Sequence, residues 1–134
     1  MFNLTVIKDE VWFVPDIGDN RISDKPFKIL IEPLTYAEYQ AATEDVDEEL
    51  SNLKAEDIKK IGVTARFWRL REHVLRQSIL DFANGTVTIT EDGKERIDAL
   101  NSVLFIQYAP DELQTHVFLA IKDHSRLAEG LEKK

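Results

Sequence analysis

The 134 residues include 43% hydrophobic side chains and carry a formal charge of −8, enough apolar material for one domain with its own core. The absence of cysteine removes disulfides and thiolate metal sites, and the acidic balance is poorly suited to tracking phosphates, which needs clustered basic residues. No basic segment leads into an apolar run at the N-terminus, and no apolar stretch approaches the ~18 residues of a membrane span, so neither a signal peptide nor a membrane helix is expected.

Taken in order, Leu4, Val6 and Val11–Val14 read as two short strands joined across Lys8-Asp9-Glu10 and stopped at Pro15. Asp16 to Lys25 is rich in Asp, Asn, Ser and Gly and reads as an exposed loop. Phe27, Ile29 and Ile31 alternate with Lys28, Leu30 and Glu32, which predicts a third strand with one buried face. Three such strands make a small antiparallel sheet in the segment 1–33 that needs helices for cover. In the next segment, Thr35 and Glu38 form a capping box, with Leu34 and Tyr39 placed as a hydrophobic staple, and predict a helix from Tyr36 to about Thr43.

Glu44 to Glu49 holds five acids in six positions. Either the helix continues with an acidic face or the run is a mobile loop. Like charges repelling at i,i+4 favour the loop. A calcium loop would need a glycine and alternating ligands that are missing here.

Lys54 to Gly85 predicts one long central helix. Ile58, Ile61, Ala65, Trp68, Leu75, Ile79 and Phe82 recur at three and four, and Val63, Phe67, Leu70 and Val74 form a second row. Asn84-Gly85 would be its left-handed stop, although Gly62 is a point where it could break. Thr86–Thr90 reads as a β-branched connector whose last residue caps a helix from Glu91, with Ile97, Leu100, Leu104 and Tyr108 on one face. Ala109-Pro110 separates it from a last helix carrying Leu113, Val117, Ala120, Ile121 and His124, and residues 129–134 should fray. The expected fold class is α+β: about three strands in 1–33 packed on about four helices in 34–128, as a single domain.

The chemistry-bearing residues form no catalytic pattern. His73 lacks a second histidine at i+4, and His116 and His124 would sit roughly 12 Å apart along a helix, too far to share a metal. No serine lies in a nucleophile elbow, and Gly18, Gly62, Gly85, Gly93 and Gly130 are too scattered for a phosphate loop. No cofactor is expected. Arg66, Arg69, Arg71 and Arg76 cluster on the central helix and read as a solvated or acid-paired edge, the alternative being a nucleic-acid regulator. Trp12, Phe13, Phe67 and Trp68 fit core packing, or else an edge or aromatic patch open to a partner.

Three passages resemble the tail assembly chaperones of long-tailed phages and prophages. In FVPDIGDNRISDKPFKILIEPLT, an Asn-Arg pair in a polar loop precedes a strand and a Pro-Leu-Thr helix start. REHVLRQSILDFANGTVTIT and ELQTHVFLAIKDHSRLAEGLEKK follow in the family's order. The resemblance implies a non-enzymatic protein of the host cytoplasm that binds the tape measure protein and assists tail tube assembly. Self-association is possible, and no nucleic acid, membrane or small-molecule substrate is implied. A minor structural component of the tail or head-tail region is the alternative within phage biology. Asn20 and Arg21 match the loop motif, and with Trp12 and Phe13 they are the candidate partner-binding residues.

Overall fold

The alternation at Lys28–Ile31 buries Ile29 and Ile31 completely, and the strand that carries them is the middle of a sheet. A computed structural model, describing residues 2–3, 8–52 and 64–128, has β1 (Val11–Phe13), β2 (Lys28–Ile31) and β3 (Ile79–Ala83) antiparallel in the order β1-β2-β3. Among the described residues there are four helices, α1 (Tyr36–Ser51), α2 (Thr64–Ser78), α3 (Ser102–Tyr108) and α4 (Asp111–Ala128). A separate hairpin, β4 (Thr86–Glu91) and β5 (Lys94–Ala99), lies between β3 and α3.

The architecture is α+β: a small antiparallel sheet and a helical bundle with α2 at its centre. One core joins them. Ile29 and Ile31 from the sheet meet Val74 and Leu75 of α2, Phe105 of α3, and Val117, Phe118 and Ile121 of α4. Central position follows from α2's contacts with α1, α3, α4 and β3. Burying the core side chains completely contributes roughly 1.5–3 kcal/mol for each large aliphatic or aromatic group.

Two boundary signals act as the sequence predicts. Thr35 Oγ1 accepts from Glu38 N–H while the Glu38 carboxylate accepts from Thr35 N–H, the full capping box. Ala109-Pro110 does separate α3 from α4, and Gln114 Nε2 seals the junction by donating to the Ile106 and Ala109 carbonyls at 3.0 and 2.9 Å.

Four expectations are corrected. Among the described residues, the sheet's third strand comes from residues 79–83 and not from the first third of the chain; the predicted strand around Leu4–Val6 lies outside the described residues, as does the 129–134 tail. The central helix ends at Ser78 and not at Gly85, and its predicted first turns before residue 64 are outside the described residues. The spacing of three between Ile79 and Phe82 imitates a helix because β3 is bulged. Ile79 pairs with Ile31, Asp81 with Leu30 and Phe82 with Ile29, so Leu80 is the extra residue and the two core-facing side chains, Ile79 and Phe82, fall three apart.

The acidic run is helical, and α1 continues through it to Ser51. Its repulsion is relieved from outside, by basic residues of α2 described below. The connector and helix predicted over 86–100 are instead the β4–β5 hairpin. Asp92 (φ 53°) and Gly93 (φ 74°) form its two-residue turn, with Glu91 opposite Lys94. Both positive φ angles suit the Asp-Gly pair that favours this tight turn. The next helix starts only at Ser102, where the Asn101 side chain caps Leu104 N–H at 2.8 Å, and Ile97 lies 65% exposed on β5.

Candidate partner-binding surface

Register assigns the two faces of the three-stranded sheet. Val11, Ile31 and Ile79 share one face with Phe13, Ile29 and Phe82, and all six belong to or pack on the core. The opposite face carries the row Trp12, Leu30 and Asp81, with Lys28 and Ala83 beside it and Leu80 projecting at the bulge. Trp12 is 45% and Leu80 44% exposed. The helices cover one face, so the outer one presents indole and isobutyl groups to solvent.

The four residues singled out from the sequence therefore separate. Trp12 is on the outer face. Phe13 is on the inner one, its ring 5.2 Å from that of His116. Asn20 closes the β1–β2 loop on itself: its amide donates to the Pro15 carbonyl at 2.9 Å and the Phe27 carbonyl at 3.0 Å, and its Oδ1 accepts from Phe27 N–H at 2.7 Å. One side chain thus ties the end of the first strand to the start of the second. Arg21 stays on the surface of the short 3-10 turn Asn20–Ile22, 3.8 Å from the equally exposed Asp16 carboxylate. Ile17 and Ile22 of the same loop are exposed, Ile22 to 82%. The loop displays an arginine between apolar groups, next to a sheet face that displays tryptophan.

The arginine cluster on α2 resolves together with the acidic run. Arg66 reaches Asp47 at 2.8 Å, Arg69 reaches Glu49 at 3.1 Å, and His73 Nε2 lies 2.7 Å from the same Glu49. These contacts zip α1 to α2 along their exposed edge. Arg76 pairs with Glu72 one turn away, and Arg71, only 8% exposed, holds Asp111 Oδ1 at 2.5 Å and Thr115 Oγ1 at 3.0 Å on α4. Every guanidinium of the cluster has a carboxylate partner. The hydrogen bond from Arg66 holds Asp47 below the usual carboxylate range, and Asp47 in turn raises Arg66. At Glu49 burial pushes upward, but hydrogen bonds from His73 and Arg69 outweigh it and the net displacement is downward.

At the other end of α1, Glu38 is also held below its usual value. Burial opposes this, and the hydrogen bonds from Lys8 and the Thr35 backbone prevail. Lys8 is raised by the same contact. Gln77 of α2 donates to the second Glu38 oxygen at 3.0 Å, so the capping carboxylate also joins α1 to α2.

Of the remaining large aromatics, Phe67 meets Phe118 edge-on at 5.6 Å and Trp68 is half exposed. Among the described residues, no group of three His, Asp or Glu side chains is arranged to hold a metal ion, and no helix is long and apolar enough to cross a membrane.

Sequence reasoning placed Leu30 opposite the buried face of its strand, but missed Leu80 as part of the same sheet face because residue 80 fell within the predicted central helix. The Asp92-Gly93 pair flanked by alternating Thr, Val and Ile was the available signal that 86–99 is a hairpin. A match to protein families, to curated proteins or to solved structures was not found for this chain.

Proposed function

We propose that the protein is a non-enzymatic assembly factor that binds other proteins through the outer face of its three-stranded sheet and the adjoining β1–β2 loop. The observation that carries this reading is the outward-facing apolar set of Trp12, Leu30 and Leu80, with Trp12 and Leu80 nearly half exposed and Leu30 partly buried, on a sheet whose other face is fully used by the core. Tryptophan and arginine are the residues that most often dominate protein interfaces, and a rigid sheet presents them at little entropic cost. Arg21 and the exposed Ile17 and Ile22 extend the surface along the loop, which Asn20 keeps in shape.

The resemblance to tail assembly chaperones names the partner: the tape measure protein, long and prone to aggregate, which would lie on this face until tail tube subunits replace it. An acidic protein of net charge −8 stays soluble while holding an apolar client. Coexpression with the tape measure protein of the same phage or prophage tests the reading. The expected result is a soluble complex that dissociates when Trp12 and Leu80 are both changed to Ser, with the fold unaltered by circular dichroism. Recovery of the same complex from the double variant would contradict it. Every arginine between 66 and 76 is paired with an acid, so no nucleic-acid reading is put forward.

A further inference from the structure

Where α1 begins and α4 ends, with α2 passing between them, Leu34, Tyr39, Val74 and Ile121 line an apolar cavity of about 140 Å³. Its size decides what it can hold. A dry cavity of roughly 150 Å³ accepts one benzene ring, whereas cofactor and drug sites run to about 300–1,000 Å³. One side chain of leucine or phenylalanine size fits here, and nothing much larger.

The rim has a single electrostatic sense. Among the described residues no Asp or Glu lines it, although the chain is strongly acidic. Lys122 forms one wall, its ammonium 5.6 Å from the ring centroids of both Tyr39 and Phe118, and among the described residues it has no carboxylate partner. Tyr36, 71% exposed, stands at the mouth. The Tyr36 and Tyr39 hydroxyls have no hydrogen-bond partner among the described residues. The Ser125 hydroxyl is already engaged, accepting from Leu34 N–H at 2.8 Å and donating to the Ile121 carbonyl at 2.6 Å. Among the described residues, the ammonium has no carboxylate and the two phenols no hydrogen-bond partner around this apolar hole, Tyr39 lying also within electrostatic range of Arg66.

The complementary group carries an apolar side chain and an anion close together. In an extended peptide neighbouring side chains point to opposite faces, and the next on the same face is ~7 Å away. The compact source is therefore a single residue bearing both groups, which a chain has only at its end. We infer that this cavity receives the C-terminal residue of a partner protein, a leucine or phenylalanine. Its side chain lies against Leu34, Val74 and Ile121, and its α-carboxylate meets Lys122 and the two tyrosine hydroxyls. Capture of a terminal carboxylate is a recurring mode of peptide recognition. The site is built by the helices and does not depend on the sheet-face reading.

The test is fluorescence anisotropy of the full chain with a labelled peptide of neutral polar residues ending in leucine. Saturable binding is expected, weakened by about tenfold or more when the terminus is amidated or the last residue is serine, since each change removes one of the two recognised groups. Lys122→Gln should weaken the free-acid peptide by about tenfold and leave the amidated one unchanged, while Lys122→Arg retains binding and so separates loss of charge from loss of fold. Trp12→Ser should leave peptide affinity unchanged. No saturable binding of peptides ending in leucine or phenylalanine, equal affinity for acid and amide, or full affinity in Lys122→Gln would each overturn the proposal.

Discussion

Asn20 and Arg21 are neighbours in one motif and do opposite things. The Asn20 amide satisfies two carbonyls and one N–H of its own loop, so Asn20→Ala should destabilise the fold by about 1–3 kcal/mol, the cost of leaving partly buried backbone groups unpaired. Arg21 makes one long, exposed ion pair, and Arg21→Glu should leave the unfolding midpoint unchanged within error. Chemical denaturation of the two variants checks both statements. Gly85 carries a constraint of a different kind. A Cβ there would lie 2.7 Å from the Phe27 ring and 2.9 Å from Leu100, and Phe27 is itself stacked on Phe82. Gly85→Ala is expected to cost roughly 1–3 kcal/mol by overpacking; a neutral effect would show that the Phe27 ring gives way.

Among the elements, α1 and α2 are joined at both ends by carboxylates held below their usual pKa, Glu38 at one end and Asp47 and Glu49 at the other. A carboxylate with a lowered folded-state pKa adds stability that is complete above its unfolded value and is lost as pH falls through the folded one. The melting temperature should therefore hold steady near neutrality and drop below about pH 4.5, where ordinary carboxylates begin to protonate. Glu49→Gln should make that drop shallower, and a melting temperature that rises on acidification would contradict the account. The β4–β5 hairpin is the opposite case. Its strands contact the core mainly at their base, where Leu100 N–H donates to the Gly85 carbonyl at 3.2 Å, and a two-stranded ribbon alone is marginal. Its amides should exchange with deuterium well before those of β2, which lies between two strands.

These elements also show what a sequence makes legible. Caps and helix breaks are local, so Thr35, Glu38 and Ala109-Pro110 could be read directly. A bulge is a property of pairing with another strand, and nothing near Leu80 in the chain announces that Ile79 and Asp81 will pair with the adjacent Ile31 and Leu30 and leave it over. The acidic run looked self-repelling for the same reason, since its counter-charges lie about 20 residues further on. The outer sheet face was partly visible through Trp12. Its partner Leu80 became part of the face only through the fold.

For the whole molecule, the division of labour is between a core that uses one face of the sheet and a surface that offers the other. Phe13, Ile29 and Phe82 hold the domain together from within, while Trp12, Leu30 and Leu80 face outward on the same strands. That geometry makes the central claim separable from stability, because outer-face residues can be changed without touching the core. Isothermal titration of the purified protein with a soluble segment of the proposed partner, the tape measure protein, is the most direct measurement. The account predicts binding that Trp12→Ser with Leu80→Ser weakens by about a hundredfold, as loss of an aromatic and an aliphatic anchor implies, at an unchanged melting temperature. Undiminished affinity in that double variant, with the fold intact, would contradict it.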